Sequence, residues 1–562
     1  MDMKNTMIIL VSAVLLFSSC LKEENRAYAT AETYYKNVAQ IESGLNACYD
    51  PMRSIIGAGF FQMTECATDV MYLGSTTRSD ANCVISPTKP GVGAAVWKQS
   101  YTAIMRANSI LASIQRSLEK GYVTEEEVTP YIAEAIVMRA FYYYYLTSTF
   151  GDVPFYTWEV TEENRAKTVT LPRTPADDIR DYLITELMDW LMPADKDGKE
   201  ALPLVRTYAK GYRAGAAVGL MLAGKFCMWN QEWDKALAVY GEIEDIYGHF
   251  EDAPEAFGEA YPLTDIPFNR KFTPESVWEV SNHIEDYGVQ SWMTLACYCT
   301  PYRSDTDVEP DDDDETSAPE VVSDIYNGIV IPELGKYART YAAARPTTYY
   351  YNQLMTYNGG DLRAGEYNKV DDPSEPRGGS GNLAWRWKGY EKTDLERKDL
   401  KVLWFSTTGG KGAGRPWLGN KFWCEDLIYN HDDNNYKVFR YAGALLNMAE
   451  AYCWLGDYDN CCKYLNIIRE RAGVHSYRPS DFSGSDELLE AVREECAREL
   501  YGEFQRKFDL VRWGIWYTRT CEYNNSAYIK DYIQPYHEYY PIPSDQVEYS
   551  GGALDNKEYT GR

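Results

Sequence analysis

Residues 446–461 read Leu-Asn-Met-Ala-Glu-Ala-Tyr-Cys-Trp-Leu-Gly-Asp-Tyr-Asp-Asn-Cys. Met448, Ala449 and Tyr452 stand at the offsets where a tetratricopeptide repeat places Leu, Gly and Tyr on its first helix. Gly456-Asp457-Tyr458 supplies the turn, and Cys461 takes the small position of the second helix. Only a small side chain lets two helices approach there, and a thiol nearly serves as a methyl group. Gly224, Cys227, Trp233, Ala236 and Tyr240 repeat these offsets far upstream. The two pairs are too distant in the chain for a simple tandem solenoid, so scattered repeats with long insertions are expected.

Working outward, Tyr34–Ile55 and Trp97–Leu118 carry apolar residues at three- and four-residue spacing, the mark of one buried helix face. Glu134–Phe150 does the same through Tyr142–Tyr145, and Gly151-Asp152-Val153-Pro154 ends it. Between about 266 and 430 the helical periodicity fails. That stretch holds Trp278, Trp292, Trp385, Trp387, Trp404, Trp417 and Trp423, with glycine-rich turns at Arg377–Gly381 and Gly409–Gly414. Ser276–Val280 and Leu400–Phe405 read as short strands within it. The expected fold is therefore mostly α, a tetratricopeptide-type helical scaffold with one long insertion of loops and short strands. Loops on a rigid scaffold are where binding residues usually lie.

The N-terminus follows different rules. Lys4 precedes Met7–Phe17, a run that is apolar except for Ser12 and too short to cross a hydrocarbon core as a helix. A charged start, a short apolar stretch and small residues form a secretory signal. Ser18 and Ser19 are followed at once by Cys20, which resembles the lipobox of bacterial lipoproteins, with acylated Cys20 as the first residue of the mature chain. Residues 1–19 are then signal peptide, and acyl chains on Cys20 would hold the protein to a membrane without spanning it. Lys22-Glu23-Glu24 resembles a surface-export signal of Bacteroidetes lipoproteins. A net charge of −28 argues against nucleic acid, whose phosphates require clustered Lys and Arg. Of thirteen cysteines, those beyond Cys20 are too sparse for a small disulfide framework and read mostly as core residues.

Several segments, taken together and in order, resemble the SusD/RagB family of nutrient-capturing outer-membrane lipoproteins. They are Lys437-Val-Phe-Arg-Tyr441, Leu446–Ala451, Asn466-Ile-Ile-Arg469-Glu-Arg471-Ala-Gly473, the stretch from Glu499 through Arg506, Asp509 and Arg512 to Gly514, and Tyr540-Pro-Ile-Pro543. Upstream, Trp97, Tyr101, Ile104, Ala107-Asn108 and Arg139–Pro154 match more loosely. The resemblance divides the mature chain into an N-terminal helical region, 20–265, and a C-terminal region, 266–562, whose insertion presents ligand. It implies oligosaccharide or polysaccharide as ligand, with peptide the alternative in the RagB branch. It also implies a TonB-dependent, SusC-like transporter as partner. Arg506, Asp509, Arg512 and Trp513 are family motif residues, and their helical spacing reads as structural ion pairing and packing rather than as a ligand site.

Catalysis finds little support. No Gly-x-Ser-x-Gly elbow, His-Glu-x-x-His motif or phosphate loop is present, and Gly409–Gly414 lacks the lysine-hydroxyl ending. With 84 acidic residues, a carboxylate pair suited to a glycosidase carries no weight. The protein is read as a non-enzyme with no resident cofactor or metal. A glycan-cleaving enzyme and a purely protein-binding scaffold are the competing classes. Asp305, Asp307 and Asp311–Asp314 offer oxygens of the kind calcium prefers, without EF-hand spacing. The five histidines are dispersed, with none paired at ligand spacing. The abundance of aromatics, 48 Tyr and 15 Trp, suits sugar faces, which stack on rings whose polar edges still hydrogen-bond. The expected ligand surface joins Trp292, Tyr298 and Tyr302 to Trp385, Trp387 and Trp417, with Tyr72 and Arg78 reaching in from an N-terminal loop. In Ala384-Trp-Arg-Trp-Lys388, strand alternation would place both indoles on one face, about 7 Å apart.

Overall fold

The computed structural model describes residues 34–73, 78–192, 213–268, 270–282, 295–299, 343–355, 361–364, 382–385, 403–406, 420–422 and 434–560. Its main helices are α1 (Val38–Asn46), α2 (Gly93–Glu119), α3 (Glu125–Phe150), α4 (Ala176–Leu191), α5 (Ala216–Trp229), α6 (Trp233–Tyr247), α7 (Tyr441–Trp454), α8 (Tyr458–Arg471), α9 (Ser485–Glu499) and α10 (Arg506–Arg512). The stretch read as one helix over Tyr34–Ile55 is broken. After α1 the chain turns, and a short helix, Asp50–Ile55, restarts on Pro51, whose fixed φ suits a first turn. In contrast, α3 begins well before Glu134. Thr124 and Glu127 cap it reciprocally, and Glu125–Glu127 complement the helix dipole. Those first turns face solvent, so they carry no apolar period.

Residues 133–150 of α3 are buried all round, as expected of a helix at the centre of an array. Its run of tyrosines survives burial because the hydroxyls find partners. Tyr142 donates to the Cys48 carbonyl (2.6 Å), Tyr143 to the Tyr156 carbonyl (2.9 Å), and Tyr145 pairs with the Tyr436 hydroxyl (3.3 Å).

The array is continuous: α2 packs on α3, α3 on α4 and α5, α5 on α6, α6 on α7, and α7 on α8 and α9. The two repeat pairs, remote in sequence, are therefore neighbours in space. Asn447 on α7 donates to the Tyr240 hydroxyl on α6 (2.8 Å), and Trp233 stacks on Trp454 with ring centres 5.6 Å apart. Within the first pair, a β-carbon at Gly224 would run into the Tyr240 ring, which explains the glycine at that crossing. In the second pair Cys461 is fully buried. Cys48, Cys66, Cys83, Cys227, Cys299, Cys453, Cys461, Cys462, Cys496 and Cys521 are free thiols, and all but Cys521 are buried.

Strands are few and short. β1 (Met71–Leu73) pairs antiparallel with β3 (Ala344–Pro346), β2 (Ser276–Val280) with β6 (Tyr436–Arg440), and β4 (Asn382–Trp385) with β5 (Leu403–Ser406). β2 has the bounds expected from sequence, and β5 overlaps the expected Leu400–Phe405.

Where β6 runs into α7, Arg440 is fully buried and meets Glu275 (2.8 Å), Glu499 (2.9 Å) and Glu503 (2.6 Å). Arg471, at the end of α8, bridges Glu275 and Glu499 at 2.9 and 2.7 Å. Lys421 reaches Glu503, and Arg469 and Arg498 hold Glu495. Burial alone would raise the Glu495 carboxyl, but Arg363, Arg498 and Arg469 outweigh it and bring it to about 2. Glu499 is likewise held low against burial by Arg471, Arg440, Arg363 and Lys421. The motif residues of the C-terminal third act in the same structural way. Arg506 pairs with Asp69 (2.7 Å), Arg512 pairs with Glu450 through two contacts of 2.6 and 2.8 Å, and Trp513 donates to Glu450 at 2.9 Å.

The helix crossing gives a paired test. Overpacking costs about 1–3 kcal/mol, against roughly 1 kcal/mol of helix propensity gained, so Gly224→Ala is expected to destabilise by up to about 2 kcal/mol. Gly241, on the partner helix, has open space around it, so Gly241→Ala is expected to stabilise by up to about 1 kcal/mol. Denaturant melts of the two variants should move in opposite directions. Equal shifts would mean that the crossing at Tyr240 is not tight.

Candidate functional site

A rigid base lies under the paired strands β1 and β3. The π-helical turn Gln62–Cys66 carries Glu65, fully buried, whose carboxylate accepts from the backbone N–H groups of Gly502 (3.1 Å), Gln505 (2.9 Å) and Arg506 (3.2 Å). Burial pushes the Glu65 carboxyl up to about 8, although these three bonds and the Arg506 charge oppose the shift. Gly502 itself has φ +76° and lies so close to Phe422 that no β-carbon fits. Asp69 is fully buried between Arg506 and Arg519, at 2.7 and 3.1 Å. Burial opposes its charge, but the two arginines prevail and its carboxyl stays below the usual range. Asn524 completes the base: its amide donates to the carbonyls of Cys66, Thr68 and Met71.

On this base the strand register sets Tyr72 opposite Arg345. The register is held by Thr347, which bonds through its backbone N–H to Val70 (2.9 Å) and through its hydroxyl to Asp69 (2.6 Å). The Arg345 guanidinium lies 5.8 Å from the centre of the Tyr72 ring. Beside β3 packs the short helix Leu295–Cys299, whose Tyr298 ring lies 5.5 Å from the guanidinium carbon of Arg78. Arg78 is exposed but its backbone is fixed, because buried Asn82 donates to the Arg78 carbonyl (2.9 Å) and accepts from Ser526 (3.1 Å). Two ring–guanidinium pairs, each partly exposed, thus sit on adjoining elements: the β1–β3 strand pair and the helix packed beside β3. Rings of this kind offer stacking faces, and each guanidinium offers forked donors for hydroxyl or carbonyl oxygens.

Of the residues expected from sequence, the structure pairs Arg78 with Tyr298 and places Tyr72 on the adjoining strand pair. Trp385 ends β4, paired with Leu403 in backbone register. Trp292, Tyr302, Trp387 and Trp417 lie outside the described residues, as do Cys20 and the acidic run with Asp305 and Asp307. Arg345 was not singled out from the sequence. Its place depends on a strand pairing between segments remote in the chain, and Ala344-Arg-Pro346 alone gives no sign of it.

A second concave feature lies on the helical side. A cavity of about 370 Å³ is lined by Trp97, Lys98, Tyr101, Tyr156, Arg165 and Tyr549, among others. Trp97 packs edge-on to Phe150 and Tyr101 stacks on Tyr156, so these rings belong to the scaffold as much as to the cleft. Among the described residues, no helix is long and apolar enough to cross a membrane.

Comparison with known proteins gives a consistent result. A family profile described as "SusD family" matches residues 274–559, and another described as "Starch-binding associating with outer membrane" matches residues 24–194. SusD-like protein P25 of Formosa agariphila is 24% identical, with 98% of each chain covered. A SusD-like protein from Bacteroides fragilis superposes with a TM-score of 0.63 at 16% identity, over 92% of this chain and 96% of that one. Surface glycan-binding protein A from Bacteroides thetaiotaomicron, solved in complex with laminarihexaose, superposes with a TM-score of 0.59 at 20% identity, over 92% and 98%.

Base and surface should respond differently to truncation. Asn524→Ala leaves buried carbonyls unpaired and is expected to cost about 1–3 kcal/mol. Arg78→Ala removes an exposed side chain and Tyr298→Ala a partly exposed ring that also rests against the core, so each should stay within about 1 kcal/mol of the parent. Thermal melts of the three variants check this, and a large loss in Tyr298→Ala would make that ring part of the core.

Proposed function

The chain belongs to the SusD family, and from that premise we propose that it is a non-catalytic cell-surface lipoprotein that binds oligosaccharide or polysaccharide. It delivers this ligand to a TonB-dependent, SusC-like transporter of the outer membrane. The observation that carries the reading is the pair of partly exposed ring–guanidinium contacts, Tyr72 with Arg345 and Tyr298 with Arg78, on adjoining braced elements. A sugar ring lays its C–H face on a phenol ring while its hydroxyls take guanidinium N–H bonds. Neutral sugars also avoid the repulsion that a net charge of −28 imposes on anions. The relatives solved as surface glycan-binding proteins, one with laminarihexaose bound, support the same ligand class. Trp292, Tyr302, Trp385, Trp387 and Trp417 extend the proposed surface into the insertion. The anchor is acylated Cys20, and no part of the chain needs to span the bilayer.

Ligand capture is tested by retention on a panel of neutral glycans. The double variant Arg78→Ala/Tyr298→Ala is expected to weaken retention about tenfold or more, the factor that 1.4 kcal/mol represents, with an unchanged melting temperature. Trp385→Ala/Trp387→Ala tests the extension of the surface in the same assay. Full retention by the Arg78/Tyr298 pair removes the proposed surface. Binding of peptides but not glycans, or release of cleavage products, removes the proposed function.

Anchoring is tested separately. With the transporter absent, Cys20→Ala is expected to leave the membrane fraction and appear soluble. A variant that still sediments with membranes would rule out acylation at Cys20 as the anchor.

A further inference from the structure

We propose that Glu244, His249 and Glu251, at the C-terminal end of α6, bind one divalent transition-metal ion of the zinc class. One ligand atom from each residue, two carboxylate oxygens and an imidazole nitrogen, lies within 4.8 Å of the other two. Zinc–ligand bonds of 2.0–2.1 Å in a tetrahedron set ligands about 3.3 Å apart, so a modest inward movement closes the site. His249 is half exposed, so its ring can rotate inward, while Tyr441 holds the Gly248 carbonyl behind it.

The polar groups around the site are arranged as a metal requires. Glu244 is 4% exposed, and its Oε1 is buried without a hydrogen-bond partner, although a buried carboxylate oxygen left unpaired is costly. Its other oxygen is already occupied by the Tyr464 hydroxyl at 2.9 Å, which fixes the carboxylate plane. Oε2 of Glu251 is also buried and unpaired. Asp245 lies 3.0 Å from Nε2 of His249, while Nδ1 lies 4.0 Å from Oε2 of Glu244, the oxygen that Tyr464 also reaches. A carboxylate on one ring nitrogen holds the other as a lone-pair donor, the usual support of a metal-bound histidine. Burial, partly offset by the Tyr464 bond and reinforced by Glu251, pushes the Glu244 carboxyl up to about 7.

The donor set selects the ion. Calcium takes six to eight oxygens and magnesium an octahedron of them, whereas one imidazole and two carboxylates suit zinc or cobalt, with solvent in the open position. Sequence spacing hid the site, because only one histidine takes part and its partners lie on a helix end and a loop. The ion would clamp the turn after α6 onto the end of the repeat pair, beside Tyr464 of α8.

The test uses the purified protein without a histidine tag, stripped with chelator and dialysed. Titration with cobalt(II) is expected to give a saturable visible d–d band at one equivalent. Zinc is expected to displace the cobalt and to raise the melting temperature. His249→Ala and Glu251→Gln, both at exposed or half-buried positions, should keep the parental fold and lose about tenfold or more in affinity. Absence of a saturable band, equal uptake by the His249→Ala variant, or stabilisation by calcium and not by zinc would each overturn the assignment.

Discussion

The structure depends on keeping Arg440 charged and dry. A buried guanidinium costs several kcal/mol to desolvate, and that cost is met only when its partners are placed well. Here they come from every part of the C-terminal half: Glu275 from the start of β2, Glu499 from the end of α9 and Glu503 from the turn beyond. Arg471 then shares Glu275 and Glu499, so β2, β6, α8 and α9 must arrive together or leave charges unpaired. Removing one member strands the others, which ties these elements into one cooperative unit. A hydrophobic core alone would tolerate sliding between helices, whereas this cluster fixes their register.

That constraint reaches the ligand-facing side through a short path. The turn holding Glu499 and Glu503 continues into Gly502–Arg506, where backbone N–H groups point at Glu65 and the Arg506 side chain grips Asp69. Glu65 and Asp69 lie on the segment that leads into β1, and Asn524 pins the same segment through its carbonyls. Tyr72 and Arg345 are thus presented by a strand pair only a few residues long, too short to be stable alone. The buried charges supply the rigidity that the strands lack, and the surface above them is free to be chosen for ligand.

The helical part of this arrangement is legible in the sequence because it is local. The offsets of Gly224–Tyr240 and Met448–Cys461 reappear as packed helix pairs, and a helix period needs only a dozen residues to declare itself. What escapes is either non-local or solvent-facing. The start of α3 is written as Thr124-x-x-Glu127, a capping box, yet its exposed first turns lack the apolar spacing that marks Glu134 onward. The stacking of the two repeat pairs, the β1–β3 register and the partners of Arg440 join residues remote in the chain. Motif residues such as Arg506 and Arg512 reveal that an ion pair is needed, but not that Asp69 and Glu450 provide it. Of the candidate site, Tyr72, Arg78 and Tyr298 were visible as residue types near loops, whereas their proximity came only from the fold.

The aromatic content needs a different weight from the one composition suggests. Many tyrosines are core residues whose hydroxyls satisfy carbonyls that helix ends and loops leave unpaired. Tyr441 donates to the Gly248 carbonyl, Tyr261 to Tyr247, Tyr101 to Pro154 and Tyr142 to Cys48. A phenylalanine in those places would fill the same volume and strand a buried carbonyl, at about 1–3 kcal/mol each. In a scaffold of long helices joined by irregular connections, tyrosine is thus a structural answer to the hydrogen-bonding demand of buried turns. Because the core takes many of the described tyrosines, a count of 48 says little about sugar by itself. Evidence for a ligand surface has to come from rings that the scaffold does not consume. Tyr72 and Tyr298 keep part of each ring exposed beside a guanidinium group, which leaves a face for ligand even where the rest of the ring rests on the scaffold.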